Sequence, residues 1–223
     1  MKLSASQRNS LKAATSKYHN ALPESRAAQY LEERGLPLEM IARFRLGFVA
    51  EPEVGHEYYR DRLAIPYLRR SAAGDWSVVS MKFRAVPGIS DSGKKYLGLS
   101  GDSDRLFNTV DAVLSEDWIA ITEGEIDALT ASAYGIPAVG VSGATKWKDH
   151  WTEIFLGYEM VYVLADGDKA GQDFAEMVAG KLRGAPVAII PMDDGEDVNS
   201  MISKYGVDKV LERMGRPDNA QAR

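Results

Sequence analysis

The sequence contains no cysteine, which excludes disulfide frameworks, cysteine-ligated zinc or iron–sulfur sites and thiol nucleophiles. Its three histidines, His19, His56 and His150, are scattered, so neither a zinc triad nor a Ser-His-Asp site is indicated. No run of about 18 apolar residues is present, and the N-terminus lacks the apolar segment of a signal peptide. We therefore expect a soluble, cytoplasmic protein with no membrane partner.

The net charge of -5 over 223 residues is unevenly distributed. Residues 1–110 hold 17 Lys and Arg against 12 Asp and Glu, a net charge of +5, whereas residues 111–223 hold 10 against 20, a net charge of -10. A basic half can bind phosphates, and an acidic half can concentrate metal-binding carboxylates. Ordinary solvated faces would produce the same imbalance, so charge alone leaves both interpretations open.

Residues 1–110 predict a small mixed α+β subdomain. The first 47 residues indicate helices, one starting near Pro23 and stopping at Gly35, and a second following Pro37 and ending at Gly47. Residues 51–110 are rich in short β-branched and aromatic runs, with a turn at Gly74-Asp75. This pattern is typical of an antiparallel, hairpin-containing region.

Residues 111–195 predict an α/β domain with a Rossmann-like parallel sheet. Apolar runs at 119–122, 138–141, 161–165 and 187–191 alternate with segments of helical length at 126–134, 147–156 and 169–182. Residues 196–223 are expected to form C-terminal helices and a polar tail. Sites in parallel sheets collect at the carboxyl ends of the strands.

Acidic residues follow these strands. Glu123 and Asp127 come after the first strand, and Asp166 and Asp168 come after the third. Asp197 and Asn199, after the fourth strand, can join them. Carboxylates brought to one edge repel one another unless a cation is present, and Mg²⁺ or Mn²⁺ suits such oxygen ligands. Helix N-capping is the competing interpretation for each acid, but capping does not explain the shared edge.

Two other motifs in the sequence lack residues that their function requires. The segment from Asp166 begins like a calcium loop, but Ala170 occupies the fifth position and Met177 the twelfth. Residues 88–95 resemble a P-loop, but Lys95 stands where a hydroxyl is required. Glycines 124, 167 and 171 are expected to let the backbone approach a phosphate or adopt positive φ.

Glu123-Gly124 with Asp127, followed by Asp166-Gly167-Asp168, resembles the Toprim domain of DnaG-type primases, type IA and II topoisomerases and some nucleases. Upstream motifs resemble, in order, the N-terminal subdomain of the DnaG-type RNA polymerase core. These motifs are Tyr30–Leu36, Phe44–Phe48, Arg62–Pro66, Lys82–Arg84 and Lys95–Leu97. The resemblance spans about residues 25–205 and implies synthesis of short RNA primers on single-stranded DNA from ribonucleoside triphosphates.

The resemblance also implies roles for individual residues. It makes Glu123 and Asp127 catalytic, and it assigns Asp166, Asp168, Asp197 and Asn199 to holding Mg²⁺ or Mn²⁺. The basic residues implied to bind template phosphates or nucleotide opposite these acids are Arg62, Lys82, Arg84 and Lys95.

The sequence departs from the family at Thr109, where a basic residue is common, and at Asn199, where many members have a second Asp. The absent cysteines leave no zinc-binding template-recognition module. We therefore expect a separate zinc-binding module, a replicative helicase, or both, as partners. A Toprim nuclease and a non-catalytic nucleic-acid- or nucleotide-binding accessory subunit remain the alternatives.

Overall fold

A computed structural model describes residues 3–71, 74–90, 93–142 and 146–216. The chain divides into two compact units, residues 1–103 and 104–223. This division lies seven residues before the boundary expected after residue 110, because the short strand at Leu106–Phe107 pairs with a strand of the second unit. The polar tail expected over 217–223 lies outside the described residues.

The first unit is a mixed α+β structure with a four-stranded antiparallel sheet in the order β1-β2-β3-β4. Its elements are α1 (Ala5–Asn20), α2 (Arg26–Glu33), α3 (Leu38–Arg43), β1 (Gly47–Phe48), β2 (Leu63–Arg70), β3 (Trp76–Arg84) and β4 (Tyr96–Gly98). The expected turn at Gly74-Asp75 joins β2 to β3, and Gly74 has a φ of +89°.

Local sequence explains where the helices begin. Ser4 and Gln7 form a capping box at the start of α1, with each side chain accepting the other residue's backbone N–H. The second helix begins at Arg26 rather than near Pro23, because the Ser25 hydroxyl caps it by accepting the Ala28 N–H at 3.2 Å.

The helix ends agree in part with the expectation. Gly35, with a φ of +66°, follows the end of α2 as expected. The expectation for Gly47 was wrong, since α3 already ends at Arg43 and Gly47 opens β1. A side chain at Gly47 would place its Cβ 2.6 Å from the Tyr18 carbonyl carbon, so glycine allows β1 to pack against α1.

The core of the first unit lies between α1 and one face of the sheet. Ala14 and Tyr18 of α1 pack with Ala64, Met81 and Phe83 of the two long strands. The Phe83 ring stacks on Tyr59 with a centroid separation of 3.8 Å. Phe83 is therefore a core residue, and its ring is not available to stack on a base.

The second unit is an α/β structure around a five-stranded sheet in the order β5-β7-β6-β8-β9. Its elements are β5 (Leu106–Phe107), α4 (Thr109–Leu114), β6 (Trp118–Thr122), α5 (Glu125–Ala133), β7 (Ala138–Val141), α6 (Thr152–Phe155), β8 (Met160–Ala165), α7 (Lys169–Lys181), β9 (Val187–Pro191), α8 (Val198–Tyr205) and α9 (Val207–Arg213). The four expected strands are parallel, and β5 adds an antiparallel edge.

The helix expected over 147–156 is mostly absent. A 3₁₀ turn at Asp149–Trp151 precedes the four-residue α6. Trp147, Trp151 and Phe155 are nevertheless all buried. The ring centroid of Trp147 lies 5.8 Å from that of Trp151 and 5.8 Å from that of Phe155. The segment has the length of a helix, but its large rings pack into the core with only a short helix between them.

In the part of the chain that the structure describes, no helix has the length and apolar character needed to cross a membrane.

Candidate catalytic site of the second unit

The parallel strands of the second unit bring their carboxyl ends to one edge of the sheet. Ile121 of β6 pairs with Val163 of β8, which in turn pairs with Ile189 of β9. The loop that follows β6 therefore lies beside the loop that follows β8. Glu123 begins the first of these loops and Asp166 begins the second.

Four other carboxylates act electrostatically on Asp166. Burial is the largest cause that raises the pKa of Asp166 from 3.8 to about 8, and the negative charges of four acids add to it. These acids are, in decreasing order of effect, Asp127, Glu123, Asp197 and Asp168. The structure thus brings together all five acids that the sequence singled out.

Asp166 also carries a buried oxygen without a hydrogen-bond partner. Its Oδ1 is inaccessible to solvent and accepts no hydrogen bond from the residues the structure describes. A buried carboxylate oxygen in this state is costly unless a proton or a cation neutralises it. The position therefore fits a cation, and without one the raised pKa keeps a proton on Asp166 near neutral pH.

The acids do not form a closed metal cage. Among the described residues, no group of three or more Asp, Glu or His side chains is arranged to hold an ion by protein ligands alone. Mg²⁺ commonly keeps several waters and binds through one or two carboxylates together with substrate phosphates. The donor set fits that mode of binding. Asp166 and Asp168 line a cleft of about 620 Å³ that has room for such a substrate.

Asp168 and Asp197 also cap helices. Asp168 Oδ1 accepts the Gly171 N–H at 2.7 Å at the start of α7, and Asp197 Oδ1 accepts the Ser200 N–H at 2.6 Å at the start of α8. The capping interpretation of these acids is therefore correct, but it does not compete with convergence, because the same carboxylates also act on Asp166. Capping fixes the rotamers of two site carboxylates.

Asp127 and Asn199 link α5 to α8. Asp127 lies in the first turn of α5, is 8% exposed, and accepts the Asn199 backbone N–H at 3.2 Å through Oδ1. Asn199 is 1% exposed, and its Nδ2 donates to Thr130 Oγ1 at 2.7 Å. These bonds give Asn199 a structural role between two helices, and the metal-ligand role expected from the sequence stays a prediction.

The site glycines are required by close packing within the protein. A Cβ at Gly167 would lie 1.7 Å from the Asp193 carbonyl oxygen, and one at Gly171 would lie 2.3 Å from the Asp166 carbonyl oxygen. Neither these two glycines nor Gly124 has positive φ. The expectation of positive φ was therefore wrong. Gly167 instead lets the loop after β8 bond to the loop after β9, through the Gly167 N–H to the Glu196 carbonyl at 2.8 Å.

Sequence reasoning missed Glu125. This residue is 1% exposed, and its Oε1 accepts a hydrogen bond from the Ser142 hydroxyl. Ser142 directly follows β7, so the loop after that strand also reaches this edge of the sheet. Ser142 could have been identified in the same way as Glu123, because it also directly follows a parallel strand. A single serine, however, is a weaker signal for a site than a group of acids.

The basic residues expected to bind nucleic acid or nucleotide lie in the first unit. Lys82 and Arg84 are two residues apart on β3. Arg62 directly precedes β2, and Lys95 directly precedes β4. Arg62 is 5% exposed and donates from Nη1 to the Lys94 carbonyl at 2.9 Å. Lys95 is exposed. Their expected position opposite the acids stays a prediction.

Aromatic rings surround two of these cations. The Arg84 guanidinium lies 5.3 Å from the Tyr30 ring centroid and 5.0 Å from that of Tyr96, and it donates to the Tyr96 hydroxyl. The Lys82 ammonium lies 5.8 Å from the Tyr67 ring centroid. These contacts attract both cations to the rings and restrain their side chains.

Comparison with known proteins agrees with this geometry. Residues 120–202 match a family model described as Toprim-like, and this range includes all five acids. The chain is 51% identical over 157 residues to the Gene 57 protein of Mycobacterium phage D29, covering 70% of this chain and 99% of that protein. It is also 27% identical to a DNA primase of Haemophilus influenzae over 87% of this chain. The chain belongs to the same family as this phage protein, has a Toprim-like region, and resembles DnaG-type primases.

The resemblance to DnaG-type primases extends to the three-dimensional fold. A DnaG primase catalytic domain solved bound to single-stranded DNA superimposes with a TM-score of 0.73 at 24% identity, covering 95% of this chain and 82% of that one. The chain spans 39% of the length of the Haemophilus primase. The likeness to the bacterial primases is therefore to a portion of each that has the fold of the catalytic core.

Proposed function

We propose that the chain is a DNA primase catalytic core that synthesises short RNA primers on single-stranded DNA by divalent-metal-dependent nucleotidyl transfer. The observation that carries the proposal is the convergence of Glu123, Asp127, Asp168 and Asp197 on the buried carboxyl of Asp166. Such a concentration of negative charge is unfavourable without a counterion, and phosphoryl transfer reactions use one. The resemblance to DnaG-type primases supports the same activity.

Asp166, Asp168 and Asp197 are the residues we assign to holding Mg²⁺ or Mn²⁺. When bound, the ion neutralises charge on the triphosphate and favours the deprotonated form of the primer 3′-hydroxyl. Asp166 changes its protonation in this scheme, since it keeps a proton near neutral pH without a cation and releases it when a cation is held. The helix caps made by Asp168 and Asp197 keep their carboxylates oriented throughout.

We assign catalytic roles to Glu123 and Asp127, next to the groups that react. Glu123 is half-buried at the start of the loop after β6 and would accept the proton of the attacking hydroxyl. Asp127 is held by the Asn199 N–H and would position Glu123 and the loop. The 620 Å³ cleft at Asp166 and Asp168 would take the triphosphate of the incoming ribonucleotide.

The template would be bound by the basic residues of the first unit. Exposed Lys95 is the residue best placed to contact a phosphate, with Lys82 and Arg84 on the neighbouring strand. Contacts of this kind bind single-stranded DNA with little sequence preference and weaken with salt. The relative solved with single-stranded DNA supports this choice of template.

We further propose that the chain acts in the cytoplasm with a separate zinc-binding module, a replicative helicase, or both. The sequence has no cysteine with which to build a zinc-binding template-recognition module of its own.

The test is to incubate the chain with single-stranded DNA, ribonucleotides and Mn²⁺ or Mg²⁺, omit each component in turn, and resolve the products by length. The proposal predicts short RNA products that require template, nucleotides and metal together. Cutting of the DNA with metal and no nucleotide would instead identify a Toprim nuclease. Binding of DNA or nucleotide without turnover, even after a helicase and a zinc-binding module are added, would identify an accessory subunit.

A further inference from the structure

A second basic feature lies in the first unit and uses none of the four basic residues discussed above. It is a groove of about 460 Å³ formed by α1, the end of α3 and the hairpin of β2 and β3. Its cationic residues are Arg8 and Lys12 from α1 and Arg43 and Arg45 from the end of α3. No acidic side chain is among the described residues that line it. We call it the α1 groove.

The α1 groove uses the polar face of an amphipathic helix. Arg8 and Lys12 are four residues apart and therefore lie on the same face of α1, and both side chains are exposed. The neighbouring face carries Leu11 and Tyr18, which are buried. The packing of the unit therefore fixes this helix with its cations directed into the groove.

An exposed tryptophan lies beside these cations. Trp76 is the first residue of β3, lines the groove and is 49% exposed. The Arg70 guanidinium lies 6.0 Å from its ring centroid. Leu68 and Val78 of the same hairpin complete an apolar side of the groove. A solvent-facing aromatic ring next to a row of cations is the arrangement by which proteins hold unpaired bases and their phosphates.

We propose that the α1 groove binds single-stranded nucleic acid, with phosphates along Arg8, Lys12 and Arg45 and a base stacked on Trp76. An acidic protein segment would match the cations but would make no use of the exposed indole face, so the combination favours a nucleic acid. The groove lies wholly within the first unit. Its binding is therefore independent of the acids and of whether the chain makes primers.

The test measures binding of a fluorescent oligo-dT to the full chain by anisotropy, in EDTA and without nucleotides. At about 0.1 M salt, loss of one phosphate contact on a single strand lowers affinity about fivefold, so Lys12→Glu and Arg8→Glu should each weaken binding at least that much. Trp76→Ala should weaken binding about fivefold or more, and Trp76→Phe should retain most of the affinity because it keeps a ring.

Two matched variants serve as controls. Arg183→Glu makes the same charge change at an exposed position of the second unit, and Tyr205→Ala removes a ring that is 55% exposed. Both should bind like the wild type, and circular dichroism should show that every variant is folded. The proposal is overturned if Arg183→Glu weakens binding as much as Lys12→Glu does, or if Trp76→Ala changes nothing.

A competition experiment addresses the acidic-segment alternative. Polyglutamate of the same net charge as the oligonucleotide should compete weakly, and its competition should not depend on Trp76. If polyglutamate displaces the oligonucleotide at equal concentration, the occupant is an acidic protein segment and the proposal is wrong. Because neither metal nor nucleotide is present, failure of primer synthesis would leave this result unaffected.

Discussion

The two units of the chain use charge in opposite ways. In the second unit, four carboxylates act on a fifth, Asp166, whose buried oxygen accepts no hydrogen bond within the described residues. In the first unit, the expected basic residues are engaged locally, with Arg62 on a backbone carbonyl and Arg84 between two aromatic rings. The charges of the second unit therefore act against one another at Asp166, whereas Arg62 and Arg84 have favourable partners within the first unit.

Strand direction accounts for much of this difference. Parallel strands end at one edge, so residues that follow β6, β8 and β9 converge even though Glu123 and Asp197 are 74 positions apart in the sequence. Antiparallel strands end alternately at the two opposite edges of a sheet, so the charged residues that flank them are spread over both edges. A site is therefore easier to recognise from sequence when its residues follow the strands of a parallel sheet.

The largest expected effect is on catalysis in the second unit. Glu123→Gln and Asp168→Asn should each lower the rate of primer synthesis at least about 100-fold, which corresponds to roughly 3 kcal/mol. Each change removes a negative charge with little change of shape, and Asn can still cap α7. Asp173→Asn is the matched control, since Asp173 lies on the same helix with its side chain 57% exposed. Wild-type rates in both site variants would contradict the assignment.

The next effect concerns the loops that hold the acids. Gly167→Ala should lower the free energy of unfolding by roughly 3 kcal/mol, because the new Cβ meets the Asp193 carbonyl oxygen at 1.7 Å. Gly180→Ala, on α7 with nothing within 4 Å of its added Cβ, should instead stabilise by about 0.5–1 kcal/mol. Urea unfolding measures both changes. Equal stability of the two variants would show that the loops are not tightly packed.

The third effect is a pH dependence of stability. The folded pKa of Asp166, about 8, exceeds its ordinary value of 3.8, so the folded state keeps a proton that the unfolded state loses. This contribution to stability is fully present below about pH 4 and is lost as pH rises through 8. Asp166→Asn removes the titration. Without divalent ions, the wild type should therefore lose at least about 3 °C more in Tm than the variant between pH 5 and pH 8.

Divalent ions sharpen this third prediction. Mg²⁺ at pH 8 should restore the Tm of the wild type, because a cation replaces the lost proton among the acids. The same addition should have little effect on Asp166→Asn. Parallel pH profiles for the two proteins would show that Asp166 titrates normally and that the acids do not interact.

The smallest effect concerns the first unit. Lys95→Ala should weaken binding of single-stranded DNA about fivefold at 0.1 M salt. The slope of log affinity against log salt concentration should fall by the amount expected for about one phosphate contact. Stability should not change, since the side chain is exposed. Lys209→Ala, a surface change in the second unit, should leave DNA binding unaltered. Equal effects from both variants would mean that binding follows net charge rather than a defined surface.

Much of the second unit was predictable from the sequence. The apolar runs that became β6 to β9 are short, buried and bounded by loops, so both their type and the position of Glu123 and Asp166 after them could be inferred. The helical segment after residue 146 was misjudged because Trp147, Trp151 and Phe155 pack as rings rather than as one helix face. The two-residue strand β5 carries too little local signal, since its pairing with β7 is a long-range contact.

Other features depend on tertiary contacts that no local pattern reports. Asn199 follows β9 as a ligand would, but its side chain turns into the interface between α5 and α8 and bonds Thr130. The need for glycine at position 167 comes from Asp193, in a loop 26 residues further along the chain. The α1 groove likewise joins Lys12, Arg43 and Trp76 from three separated segments, so its cations looked like scattered surface charges in the sequence.

The most direct test of the central claim is a titration of the chain with Mn²⁺, followed by electron paramagnetic resonance of the free ion. The account predicts that the wild type and Asp173→Asn bind Mn²⁺ equally, that Asp166→Asn and Asp168→Asn bind it much more weakly, and that binding weakens as pH falls below 8. Absence of Mn²⁺ binding in the wild type, or equal binding by all four proteins, would contradict the claim that the converging acids form a divalent-metal site.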